Sequence, residues 1–95
     1  MSEHVALPMT IPPPIPTAGS KLRQRRQQLG LSIRDVHLAS LKIASDLRNR
    51  HFVISISRLS EIETKGAVPG IHRLHSLRQI YRIEIEELLA WYGLP

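Results

Sequence analysis

Ser55-Ile56-Ser57-Arg58-Leu59-Ser60-Glu61-Ile62-Glu63, with Pro69 six residues further on, is a short amphipathic helix written between two punctuation marks. Hydroxyl side chains open it, because serine at an N-cap accepts from the free amides of the first turn. Leu59 and Ile62 fall three apart and point inward. Lys65-Gly66 ends the helix at about Thr64, since glycine tolerates the positive φ of a C-terminal turn. The expected span is Ser55 or Ser57 to Thr64.

The flanking segments read as helices too. Gly19-Ser20 precedes a helix expected from Lys21 to about Leu29, with Ser20 as its cap. Leu22 and Leu29 share a face, and Gly30 stops it. Ser32-Ile33-Arg34-Asp35 has the form of a capping box. The helix it opens carries Ile33, Val36, Ser40, Ile43 and Leu47 at three-four spacing. No Gly or Pro interrupts until beyond Arg50, so it is expected to reach about Asn49. Phe52-Val53-Ile54 then forms an apolar cluster that should plug a core. A fourth helix is expected over Ile71 to Tyr81, with Ile71, Leu74, Leu77 and Ile80 or Tyr81 inward. A fifth is expected over Ile85 to about Trp91, stopped by Gly93. The chain is therefore expected to be all-α, with five helices, no strands and no internal repeat.

Residues 1–18 differ in composition. Five of the seven prolines precede Lys21, and Pro12-Pro13-Pro14-Ile15-Pro16 is a polyproline-type run. Proline fixes φ and lacks the amide hydrogen, which excludes helix and central strand there. This Pro-rich N-terminal tail is set apart from a domain over residues 19–95. Pro13 and Pro16 form a PxxP that an aromatic-lined groove would accept, although a stiff solvated tail explains the same residues. Val5, Leu7, Met9, Ile11 and Ile15 are more apolar than such a tail needs.

The chain has 95 residues, enough for one domain with a modest core. Its formal charge is +5, and its pI is about 10.5. Glu3 is the only acid before Lys21, so residues 19–95 hold thirteen bases against seven acids, a net +6. Such a balance points to a polyanionic partner, most often nucleic acid, over a merely solubilising face. The absence of cysteine excludes a disulfide framework and thiolate metal ligation. No apolar run approaches the roughly 20 residues of a membrane span. No Lys or Arg precedes Lys21, unlike a secretory signal, and a cytoplasmic protein is expected.

In order along the chain, several short patterns resemble lambda-repressor-like (Xre/Cro-type) regulators. Leu22-Arg23-x-x-Arg26-x-x-x-Gly30-Leu31-Ser32 is similar to their first helix and turn. Ser57-x-Leu59-Ser60-x-Ile62-Glu63 with Pro69 is similar to their recognition helix and following loop. Ile71-x-x-Leu74-x-x-Leu77 and Ile83-x-Ile85-Glu86-Glu87-Leu88-Leu89 are similar to their last two helices. The resemblance covers residues 19–89 and implies a compact five-helix DNA-binding domain acting as a transcriptional regulator. It also implies an ion pair between Arg26 and Glu63, with Arg26→Ala lowering the melting temperature sharply and Arg25→Ala not. Homodimerisation near the last helix is implied as well, with Leu88, Trp91 and Tyr92 as the candidate interface.

By that register, Ile56, Ser57 and Glu61 would contact base edges, with Ser55 and Arg58 beside them. Arg58 could read guanine bidentately, or simply pair with Glu61 or Asp46 as a solvated charge. Phosphates would be held by Arg23, Arg34, Lys65 and Arg73, or by amides at the start of the fourth helix. The chain departs from the family pattern in four places. About a dozen extra residues separate Ser32 from Glu63, lengthening the second helix and adding the Asn49–Ile54 connection. Ile33 replaces a phosphate-binding glutamine, His37 replaces a small residue, and Gly66 comes one residue late. The alternative function is a protein-interaction module in which the Pro-rich tail, the long second helix and Trp91 form the contact surface. The orientation of Lys42, Arg48, Arg50 and His51 decides whether the insertion adds phosphate contacts or serves another partner.

Other constellations carry less. His72 and His75 have metal-compatible spacing but no third ligand nearby, so no metal site is expected. His37 and His51 read as polar packing. Glu84, Glu86 and Glu87 suit a helix start rather than acid-base work. No nucleophile has an ordered base, and no phosphate-cradling glycine loop is present, so neither enzyme activity nor a cofactor is expected.

Overall fold

Thr17, not Ser20, opens the first helix. In a computed structural model that describes residues 16–95, helix α1 spans Ala18–Gln28. The Thr17 hydroxyl accepts from the Ser20 amide at 3.1 Å, and Ser20 Oγ donates back to the Thr17 carbonyl at 2.9 Å. Thr17 and Ala18 thus belong to the helical domain, two residues before the expected boundary at 19. Residues 1–15, including Pro13 of the PxxP, lie outside the described residues.

Five α-helices and one 3₁₀ turn, with no strand, make up the described residues. Helix α2 is Ile33–Leu47, the 3₁₀ turn Arg50–Phe52, α3 Ile56–Thr64, α4 Ile71–Tyr81 and α5 Ile85–Trp91. Local chemistry explains most ends. The Ser32–Asp35 capping box closes reciprocally at 3.0 and 2.8 Å. The backbone amide of Ser32 holds the Asp35 carboxyl below its ordinary pKa. Ser55 caps α3 through the Arg58 amide at 3.1 Å. Gly30, Gly66 and Gly93 take the positive φ that ends α1, α3 and α5.

Two ends lack glycine. Helix α2 stops at Leu47 because Arg48 adopts the left-handed conformation at φ 53°, and the Asn49 amide returns to Ala44 O at 2.9 Å. Arg82 does the same after α4 at φ 55°. This is why α2 falls short of the expected Asn49: the left-handed residue is an arginine, which carries no glycine's warning.

The core is Leu22, Val36, Ile54, Leu59, Ile62, Leu77, Tyr81, Ile83 and Leu88. Ile54 supplies the expected plug, while Phe52 and Val53 are half-buried. Ile71 and Leu47, both expected inward, are 78% and 50% exposed. Each sits on a terminal turn of its helix. Leu88 is fully buried, so it presents nothing to a partner and its expected interface role is corrected to core packing. Trp91 and Tyr92 are half-buried against the same core.

The Tyr92 hydroxyl is buried with no hydrogen-bond partner, and burial raises its pKa. An unsatisfied buried hydroxyl costs on the order of 1–3 kcal/mol. Tyr92→Phe is therefore expected to raise the melting temperature in a thermal scan. A clear fall would mean that the hydroxyl is bonded in solution.

Candidate nucleic-acid interface

Helix α3 is anchored on one face and open on the other. Leu59, Ile62 and Glu63 are buried, while Ser55, Ile56, Ser57 and Arg58 are exposed and Glu61 is half-buried. Its first turn carries no acid. An exposed, acid-free N-terminal turn holds the positive end of the helix dipole toward solvent.

The anchor is polar as well as apolar. Arg26 Nε donates to Glu63 Oε2 at 2.7 Å and Arg26 Nη2 to Glu63 Oε1 at 2.9 Å, a bidentate fork. Arg26 and Glu63 are only 8% and 6% exposed. Arg26 Nη1 also donates to the Leu31 carbonyl at 3.0 Å, so one guanidinium ties α3 to α1 and to the turn before α2. Its hydrogen bonds to Glu63 hold the Arg26 pKa above the ordinary value. Tyr81 closes the far side, its hydroxyl 3.5 Å from Glu63 Oε2, and burial raises its pKa.

Gly19 makes this contact possible. A Cβ at position 19 would run into the carbonyl oxygen of Ile62 and lie 2.6 Å from that of Glu63. The backbones of α1 and α3 therefore touch directly. The sequence reading placed Gly19 only before a helix start; its buried position inside α1 is the missed feature.

Arg25 was also missed. It is half-buried and donates to the Tyr81 and Arg82 carbonyls at 3.0 and 3.2 Å. It therefore satisfies the carbonyl end of α4. Arg73 is half-buried too, and its Nε donates to the Val53 carbonyl at 3.0 Å. It is first a strut for the Asn49–Ile54 connection, whereas Arg23, Arg34 and Lys65 are exposed.

The connection itself is pinned from two helices. Ser76 Oγ of α4 donates to Phe52 O at 2.6 Å, next to the Arg73 tie. His37 Nδ1 of α2 lies 2.8 Å from Ile54 O, and Ser40 Oγ accepts from the Ile54 amide at 2.9 Å. Asn49 caps the 3₁₀ turn through the His51 amide. His37, which reads as polar packing in the sequence, and the serines Ser40 and Ser76 are the sequence signals of this network.

His72 and His75 pack around Phe52, at ring-centroid distances of 5.0 and 5.3 Å, and His51 packs on His72 at 5.4 Å. Among the described residues no group of three or more potential ligands is placed to hold a metal ion. None of the helices described is long and apolar enough to cross a membrane.

On the open face of α3, Arg58 Nη1 lies 3.3 Å from Glu61 Oε1, both side chains nearly half exposed. Comparison with protein-family models, curated proteins and solved structures returned no match.

Proposed function

We propose that the chain is a sequence-specific duplex-DNA-binding transcriptional regulator with a lambda-repressor-like helix-turn-helix domain. The observation that carries this reading is the two-sided construction of α3. Its inner face is locked by Leu59, Ile62 and the Arg26–Glu63 fork, while Ser55, Ile56, Ser57 and Arg58 stand exposed around an acid-free N-terminus. Recognition helices enter the major groove with their N-terminal residues on base edges, and that requires a fixed pose. The basic charge of the domain supplies the sequence-independent part of binding.

Arg58 must leave Glu61 to reach a base. An exposed pair of this kind is worth about 0–1 kcal/mol, while a good bidentate contact to guanine contributes about 1–3 kcal/mol of discrimination. The exchange favours the base. Arg58→Ala is expected to cost about 1–3 kcal/mol on the preferred site and to relax selection at one position. An equal loss on every sequence would make Arg58 a phosphate contact instead.

Selection from a randomised duplex pool at two salt concentrations tests the function. A symmetric motif that survives the higher salt supports specific, dimeric reading. Motif-free binding that disappears with salt reduces the domain to general charge attraction.

A second reading has one observation in its favour. Leu38 and Leu41 lie on the outer face of α2 and are 50% and 42% exposed. Two exposed leucines one turn apart suit a protein partner better than a phosphate backbone. In that reading the domain is an interaction module that keeps the same helices.

A further inference from the structure

The Asn49–Ile54 connection is the part of the chain that the proposed reading leaves without a role. It is built too rigidly for a spacer. Three successive carbonyls, of Phe52, Val53 and Ile54, each lie within hydrogen-bond reach of a side chain from α2 or α4. The Asn49 side chain holds the 3₁₀ turn from the other end. Holding this network costs buried polar groups, Ser40 and Ser76 among them. What the network presents outward is Arg50 and His51, both exposed.

The segment carries no negative charge of its own. No acid occurs from Arg48 to Ser60. The first turns of α3 and α4 contain none. His51 lies against His72, which is in that first turn of α4. Arg50 makes no ion pair among the described residues. The exposed Arg50 and His51 are thus neighbours in the chain, and His51 meets the N-terminal turn of α4, whose dipole favours an anion.

The patch is also at the right range from α3. Arg50 precedes the Ser55 cap by five residues. A 3₁₀ rise of about 2 Å per residue followed by extended chain at about 3.3 Å places it at most about 14 Å from that cap. The major groove is about 12 Å wide, so a helix lying in it has a phosphate strand on each side within such a reach.

We propose that the 3₁₀ turn is a second contact surface for duplex DNA, with Arg50 and His51, backed by His72, gripping the phosphate strand beside the recognition helix. This rests on the DNA-binding reading of α3. The turn adds affinity and fixes register without reading bases, since phosphate contacts position a protein and base contacts specify.

The test is a salt titration of the purified full chain on its selected duplex, comparing wild type with Arg50→Gln and with Arg50→Gln combined with His51→Gln. Each lost phosphate contact should lower the slope of log K against log salt by about 0.9. The expected result is a drop of about 1 for the single variant and up to about 2 for the double, with the selected motif unchanged. Arg50→Lys, which keeps the charge, should retain the slope. A folded double variant with the wild-type slope overturns the proposal and leaves the reading of α3 standing. A variant that changes the motif also overturns it, because the turn would then read bases. A wild-type chain that binds no duplex overturns both.

Discussion

Arg26→Ala should lower stability by about 3–5 kcal/mol, because it strands the buried Glu63 carboxylate. Domains hold only about 0.05–0.15 kcal/mol per residue, so this removes a large share of the folding free energy. At about 4–8 °C per kcal/mol for a domain of this size, the melting temperature should fall by at least about 12 °C. The loss is greater than that of one ion pair because the Leu31 carbonyl also loses its donor. Removing both charges tests the cause. Arg26→Met combined with Glu63→Leu should recover much of the loss, since a buried pair replaced by apolar groups is often neutral or better. Arg23→Ala, at an exposed site on the same helix, should change little. Arg25→Ala should fall between them, because it frees two carbonyls at the end of α4. Circular dichroism melts of the four variants suffice, and equal small effects of Arg26→Ala and Arg23→Ala would refute the assignment.

Gly19→Ala is the second large effect, and its sign is the informative part. Helix propensity alone favours alanine over glycine inside a helix by about 1 kcal/mol. The structure demands the opposite. The new Cβ would meet two backbone carbonyls of α3, which cannot rotate aside as a side chain would. Overpacking of this kind costs about 1–3 kcal/mol and at times more. The helices would have to separate where Arg26 reaches Glu63, so the fork would stretch as well. A net loss of up to about 2 kcal/mol is expected in denaturant unfolding, and more where the fork breaks as well. A stabilised Gly19→Ala variant would show that α1 and α3 do not touch through their backbones.

Whatever is written within four residues was legible in the chain. The Ser32–Asp35 box, the Ser55 cap and the stops at Gly30, Gly66 and Gly93 are each local exchanges between a side chain or a permissive backbone and the nearest turn. The spans of α4 and α5 follow from apolar spacing, with a glycine stop only after α5. Helix ends differ from the sequence expectation where the local signal is missing or duplicated. Thr17 and Ser20 both offer a hydroxyl, and Thr17 takes the cap because Gly19 must lie inside the helix to meet α3. Arg48 ends α2 without a glycine because the connection beyond it is held by α2 and α4, and that support outweighs the cost of a left-handed arginine.

The candidate interface divides along the same line. Its residue types, a basic chain with an acid-free helix start of Ser55, Ile56, Ser57 and Arg58, were visible from composition and order alone. The pairing of Arg26 with Glu63 was visible only through resemblance, since 37 residues separate them. By itself the sequence determined that the described residues are all-helical, along with most helix ends and most of the inward positions, because these depend on neighbours along the backbone. Only the tertiary structure decided that Arg25 and Arg73 are spent on carbonyls, that Leu88 is core, and that His51 packs against α4. Those outcomes depend on which segments, up to 57 residues apart, pack closely enough to exclude water, and no local pattern carries that distance.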